Sequence, residues 1–167
     1  MKLPQDECPA FFQFYADYVE LDILPALTKQ VETYVQFIRA IPEEKHLYRY
    51  QADKWTVKEV VGHITDTERL KATAALRLAR NDKTPVPGFE ETDYVAAAQL
   101  NNRSMENLLN EFITVRQSSI VLFESLTEEA LHRIGQVSGK NISAATLFYF
   151  LVGHVKHHEK IIKERYL

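Results

Sequence analysis

The chain has 167 residues, of which 46% are hydrophobic and 26% are charged, a composition typical of a globular protein. Its net charge of −3 gives no general attraction to nucleic acid or to an anionic membrane, and no apolar run reaches the ~18 residues that span a bilayer. Its single cysteine, Cys8, cannot form an internal disulfide, and acidic residues interrupt the N-terminus before any signal-like apolar run. These features predict a soluble, cytoplasmic protein with one domain over residues 1–167 and no nucleic-acid or membrane partner.

Apolar residues recur at helical spacing and glycine is scarce, so the sequence predicts an all-α protein with four long helices. The first is expected at residues 22–40, with Pro25 in its first turn. The second opens at Thr56, where Thr56 and Glu59 form a capping-box pattern, and ends near residue 81. The third spans residues 104–125, and the fourth begins near Ser143, a good N-cap residue, and continues almost to the C-terminus.

Two segments between the long helices predict additional structure. The segment from residue 81 to residue 104 begins as a Pro/Gly turn and is expected to form a short helix at residues 93–100. Such a crossover is long for adjacent antiparallel helices, so the topology is not expected to be simple up-and-down. The sequence of residues 133–143 predicts a small insert around Ser138 and Gly139 that is either extended or a hairpin. The predicted architecture is therefore a four-helix bundle with a long crossover between its second and third helices.

Three histidines lie within five positions of the last helix. His154 and His158 are four residues apart on its apolar stripe, and His157 lies at the edge of that stripe. Paired imidazoles at this spacing can bind one metal ion, although buried histidines with hydrogen-bonded rings give the same pattern. His63, on the second helix, borders the same interior. Three histidines with an open fourth position are typical of a catalytic metal site.

Other residues near these histidines have candidate roles. His157 is either a proton shuttle or a surface residue, and Asp66 lies one helical turn from His63, where it could orient the ring. Glu68 lies on another side of that helix and is expected either to form a salt bridge or to support a ligand from behind. Three aromatic residues before the second helix, Tyr48, Tyr50 and Trp55, either close the pocket or pack at the end of the bundle, and packing is the expectation for Trp55. The segment HVKHH lacks the glutamate of an HExxH motif, so a metalloprotease of that type is not expected.

Three segments together resemble the DinB-like superfamily, in its YfiT-like branch of metal-dependent proteins. They are YRYQADKWTVKEVVGHITDTER at residues 48–69, RLARNDKTPVPGFEETDYV at residues 77–95, and GHVKHHEKIIKERYL at residues 153–167. The resemblance implies a four-helix bundle, often dimeric, that binds a divalent metal through three histidines. The matching positions are His63, His154 and His158. His157 matches a position that is often histidine in relatives without being the usual ligand.

The resemblance also implies a range of activities. Some relatives are similar to thiol S-transferases that use low-molecular-weight thiols such as bacillithiol, and one branch contains a mycothiol-dependent isomerase. We therefore predict a metal-dependent thiol S-transferase or hydrolase that acts on a small molecule, with zinc or nickel as its metal, and that forms a homodimer. The alternative is a non-catalytic, stress-related bundle in which the metal or the histidines stabilise the fold or a dimer.

Overall fold

The computed structural model describes residues 7–20 and 22–167. Within these residues the fold contains four long helices, three short helices and one two-stranded hairpin, which lies between the last two helices. In chain order the elements are α1 (Ala10–Ala16), α2 (Ile23–Arg39), α3 (Val57–Ala79), α4 (Glu91–Ala98), α5 (Met105–Glu124), α6 (Glu128–Leu131), β1 (Ile134–Val137), β2 (Lys140–Ser143) and α7 (Ala144–Arg165). None of the helices in the described part of the chain is both long and apolar enough to cross a membrane.

The predicted starts of three long helices are confirmed by their caps. Thr56 Oγ1 accepts a hydrogen bond from the backbone N–H of Glu59 at 3.2 Å, and the Glu59 carboxylate accepts the Thr56 N–H at 2.7 Å. Ser104 and Ser143 cap α5 and α7 in the same way through their hydroxyl oxygens. These side chains satisfy N–H groups that have no partner inside the helix, and so they fix where each helix begins.

All three short helices differ from the sequence prediction, which includes no helix at α6. The crossover helix α4 spans Glu91–Ala98, two residues earlier at each end than predicted. No apolar pattern in the sequence indicates α1, which spans only seven residues after Pro9. Two turns are too few for a periodic apolar pattern, and α1 is stabilised by packing against α7 instead.

In the four-helix bundle, α2 and α3 lie diagonally opposite each other. α2 packs against α5 and α7, and α3 packs against the same two helices. Thr56 at the start of α3 donates to Asn101 just before α5, and further along both helices Arg69 pairs with Glu111. α3 and α5 therefore run in the same direction. Because parallel neighbours cannot be joined by a short turn, the chain needs the long crossover that the sequence predicts.

The hairpin, one of the two forms predicted for residues 133–143, is confirmed and it anchors this crossover. β1 and β2 pair antiparallel around Ser138 and Gly139, which have φ angles of 51° and 74°. Val86 of the crossover donates its N–H to Gln136 and accepts the N–H of Ser138, both at 2.9 Å. The crossover is thus held against the end of the bundle by backbone hydrogen bonds.

A buried polar layer separates two apolar clusters in the bundle. One cluster surrounds α1, the hairpin and the first half of α7, and the other contains the first halves of α3 and α5. Between them Arg116 is completely buried and forms two hydrogen bonds with the Glu68 carboxylate, at 2.7 and 2.8 Å. Gln30 accepts a third hydrogen bond from Arg116 and donates to the Val152 carbonyl. This layer links α2, α3, α5 and α7 at the centre of the bundle.

Candidate metal centre

Three histidine side chains converge where α3 crosses α7. His154 and His158 lie one turn apart on α7, and His63 faces them from α3. The Nε2 atom of His154 is 3.2 Å from Nε2 of His63 and 3.1 Å from Nε2 of His158. The ligand atoms of all three residues lie within 4.8 Å of one another. The structure therefore brings together the three residues predicted from the sequence.

Burial keeps these imidazoles neutral. Loss of hydration lowers the pKa of His63 to about 4. The same cause, reinforced by the neighbouring histidines, lowers the pKa of His154 and of His158 well below the usual value. A neutral imidazole has a lone pair on one ring nitrogen, which is the form that binds metal.

The geometry of the cluster fits a small divalent cation. With metal–nitrogen bonds of ~2.0–2.1 Å, two ligands of a tetrahedral ion lie ~3.3 Å apart, close to the two spacings around His154. Within residues 7–20 and 22–167, the cluster contains no carboxylate or thiol ligand. Three imidazoles suit zinc, nickel and similar ions, and they leave a coordination position for another molecule.

Aromatic rings fix the orientation of two of the imidazoles. Phe150 stacks on His154 with ring centroids 5.0 Å apart and planes at 17°. Trp55 lies against His63 at 4.6 Å between centroids, so it packs beside the candidate site as well as at the end of the bundle. These contacts restrict the rings to the orientation in which their Nε2 atoms face each other.

The residue that contacts the other nitrogen of His63 is Thr67, and not Asp66 as the helical spacing had suggested. Thr67 Oγ1 is 3.5 Å from His63 Nδ1, one helical turn along α3. Asp66 points toward Arg69 instead, at 3.4 Å. A threonine four residues after a candidate ligand lies on the same helical face, so this partner could have been found from the spacing. Glu68 forms the predicted salt bridge, with Arg116.

A glycine precedes the candidate ligand on each helix. A β-carbon on Gly153 would collide with the backbone of Tyr15, and one on Gly62 would collide with the side chain of Leu100. Gly153 thereby allows α1 to pack directly against α7, where the Tyr15 ring lies 5.7 Å from that of His154. α1 therefore forms part of the wall of the site, and neither this role nor the helix itself is predicted from the sequence.

His157 lies beside the cluster but outside it. Its half-buried ring is 5.2 Å from the His158 ring and packs among Phe14, Tyr15 and Tyr18 of the N-terminal segment. Partial burial, aided by Lys160, lowers its pKa. The two remaining histidines lie elsewhere. His46 contacts the Ile41 carbonyl, and His132 pairs with Glu7.

A cleft of about 240 Å³ opens beside His158, and we call it the His158 cleft. Trp55, Tyr50 and Tyr166 contribute aromatic walls, and Thr92 at the start of α4 forms another side. A small molecule in this cleft would contact His158 directly. The candidate metal centre is thus covered by α1 on one side and open to a small ligand on the other.

These observations define a class of protein, a helical bundle with a three-histidine cluster beside an open cleft. The sequence model of the DinB superfamily matches residues 26–162, and the chain belongs to this superfamily. One relative, a protein of Oceanobacillus iheyensis, is 28% identical over 142 residues. That protein is named as a metal-dependent hydrolase by inference. That alignment covers 81% of this chain and 80% of the relative.

Two solved structures share the fold. YfiT from Bacillus subtilis, described as a probable metal-dependent hydrolase with an unusual four-helix bundle topology, matches with a TM-score of 0.73 and 16% identity. The match covers 98% of this chain and 90% of YfiT. A mycothiol-dependent maleylpyruvate isomerase matches with a TM-score of 0.70 and 12% identity, over 87% of this chain and 61% of the isomerase. The predicted YfiT-like bundle is therefore confirmed.

Proposed function

We propose that the protein is a metal-dependent enzyme that acts on a small molecule, and that His63, His154 and His158 bind its divalent metal ion. The observation that carries this proposal is the convergence of the Nε2 atoms of buried His63, buried His154 and partly buried His158 beside an open cleft. A purely structural metal site would be closed by a fourth protein ligand. The inferred hydrolase activity named for the Oceanobacillus relative supports the same assignment.

The reaction class follows from the ligand set and the cleft. When bound, a divalent ion acts as a Lewis acid and lowers the pKa of a water molecule or a thiol, so that either becomes a nucleophile at neutral pH. The three imidazoles would hold the ion, and the walls of the His158 cleft would hold the second reactant. Hydrolysis and thiol S-transfer therefore use the same residues, and the ligand that fits the cleft determines which of them occurs.

His157 is our candidate for proton transfer. Its ring is neutral near pH 7, lies next to His158 and retains partial access to solvent. A neutral imidazole in this position can accept a proton from the nucleophile and release it to water. This role, the zinc or nickel identity of the metal, the homodimer and the cytoplasmic location stay predictions.

Metal analysis tests the proposal. Untagged wild-type protein should contain about one equivalent of one divalent metal by mass spectrometry, and the His154→Ala/His158→Ala variant should contain none. A His46→Ala variant, altered outside the cluster, should retain the metal. Absence of metal from the wild type after incubation with zinc and nickel would contradict the proposal.

A second measurement separates an enzyme from the non-catalytic alternative. The metal-loaded protein is assayed with thiol and electrophile pairs and with a panel of esters, and its melting temperature and oligomeric mass are recorded before and after chelation. Turnover that disappears in His154→Ala supports the enzyme. Chelation that lowers the melting temperature or splits an oligomer, with no turnover on either panel, supports a metal that only stabilises the protein.

A further inference from the structure

A second cleft, of about 430 Å³, lies on the other side of the α4 start, and we call it the Lys71 cleft. Two phenylalanines of α1 and one of the crossover form apolar walls, while the charged side chains come from α3, the α4 start and the hairpin. The aromatic and charged residues that line the cleft include Phe11, Phe12, Lys71, Phe89, Glu91 and Lys140. The Lys71 cleft therefore combines an aromatic lining with cationic groups.

Lys71 is a partly buried cation without an anionic partner in contact. Its Nζ atom lies 5.6 Å from the centroid of the Phe89 ring, 5.7 Å from Phe150 and 6.0 Å from Phe12. Among the described residues, none forms a hydrogen bond or an ion pair with this ammonium. Burial lowers the pKa of Lys71, and the more distant Glu91 carboxylate acts in the opposite direction. An anion bound next to Nζ would compensate for the lost hydration.

The Lys71 cleft and the candidate metal centre are neighbours. Phe150 separates them, because its ring stacks on His154 and also lies under the Lys71 ammonium. In addition, Glu91 lines the Lys71 cleft, and the next residue, Thr92, lines the His158 cleft. The two clefts thus share the start of α4 as a common wall. A substrate that occupied both clefts would cross this wall between the histidines and Lys71.

We propose that the Lys71 cleft binds an apolar, carboxylate-bearing part of the substrate, with Lys71 Nζ as the partner of the carboxylate. This inference rests on the proposed function and assigns a substrate class to it. The phenylalanine walls suit the apolar part, and the ammonium is a compact donor for a carboxylate. Among the other charged residues of the cleft, Glu90 and Glu91 outnumber Lys140, and this balance disfavours a second negative charge, so the expected ligand carries a single carboxylate.

The first test needs no metal. The metal-free protein is titrated with 4-phenylbutyrate and with 4-phenyl-1-butanol, which share an apolar body and differ in charge, while NMR records the shifts of Gly88, Phe89 and Glu91. The carboxylate should bind about tenfold more tightly or better, as expected for a charge-assisted hydrogen bond. Lys71→Met should remove this preference, Lys71→Arg should restore it, and Lys29→Met, an exposed lysine on α2, should leave it unchanged. Equal affinities of the acid and the alcohol for the wild type would overturn the inference, as would a preference that survives in Lys71→Met.

A second test measures the link to the metal centre. Cobalt-loaded protein is titrated with 6-mercaptohexanoate and 6-mercaptohexanol, and thiolate binding is followed by the sulfur-to-cobalt absorption band. Tighter binding of the acid, lost in Lys71→Met, supports one continuous substrate site. Equal binding of the two thiols overturns that continuity while the metal site stands. A protein that binds no cobalt contradicts the proposed function, and the phenylbutyrate titration still decides whether the cleft recognises carboxylates.

Discussion

Gly153 lies directly against the backbone of Tyr15, so closely that no side chain fits between α7 and α1 at this point. The contact is next to His154 in the sequence and in space. It closes one side of the candidate metal centre with the aromatic residues of α1. The glycine before the histidine is therefore a packing requirement of the site.

Replacement of Gly153 by alanine should displace α1 and destabilise the protein. We expect a loss on the order of 1–3 kcal/mol in the free energy of unfolding, as for other overpacked interiors, and weaker metal binding because the wall beside His154 moves. Chemical denaturation and metal titration measure the two effects. Gly88→Ala is the control, since its β-carbon meets only the Ser138 side chain at 3.3 Å or beyond. Equal stabilities of Gly153→Ala and the wild type would contradict the close approach.

Thr67 is expected to support the candidate metal centre through the His63 ring. When Nε2 of His63 binds a metal, its Nδ1 carries the proton and donates to Thr67 Oγ1. Thr67→Ala should therefore weaken metal binding ~10–100-fold without removing a ligand. Asp66→Ala, which alters the adjacent residue, should leave the affinity unchanged.

The single tryptophan gives a direct readout of this effect. The ring of Trp55 lies 4.6 Å from that of His63, so binding of cobalt or nickel should quench its fluorescence. The cobalt concentration at half quenching gives the affinity of each variant. If this concentration changed equally in Asp66→Ala and Thr67→Ala, the specific support of the His63 ring by Thr67 would be contradicted.

Acid should destabilise the metal-free protein through the buried histidines. His63 has a pKa of about 4 in the folded protein and an ordinary value near 6.5 when unfolded. Between these values the unfolded chain binds more protons, so stability is complete above pH ~6.5 and falls as the pH is lowered. For His63 alone the loss by pH 4 is on the order of 3 kcal/mol.

The pH dependence is measured by urea denaturation of the metal-free protein between pH 7.5 and pH 4, with the wild type and His63→Gln compared. The variant should lose less stability than the wild type over this window, because glutamine does not titrate. His46→Gln, altered outside the cluster, should follow the wild type. Parallel curves for wild type and His63→Gln would mean that His63 is not buried in its neutral form.

Arg116 and Glu68 should be strongly coupled. Removal of one partner, in Glu68→Met or Arg116→Met, leaves the other charge buried without compensation, and we expect a cost of ~3–5 kcal/mol for each. The double variant should recover much of this loss, because two apolar side chains can fill the layer. Denaturation of the four proteins gives a double-mutant cycle. Additive losses would contradict the pairing.

The helices of the bundle were predictable because their signals are local. Thr56, Ser104 and Ser143 cap helices through atoms three residues away, and the apolar stripes repeat over many turns. The pairing of His154 with His158 was predictable for the same reason, since four residues on a helix place both rings on one face. The sequence alone therefore determined the four long helices and the two histidines of α7, and it indicated His63 as their partner.

Tertiary structure decided the relationships that join distant parts of the chain. α1 is too short to show a periodic apolar pattern in the sequence, and its packing depends on the close contact at Gly153. The partner of Arg116 lies 48 residues away, and the three phenylalanines around Lys71 come from three separate segments. No local pattern records such contacts, because they exist only after the helices have packed. Sequence determined which residues could form a site, and packing determined how far the site extends and what surrounds it.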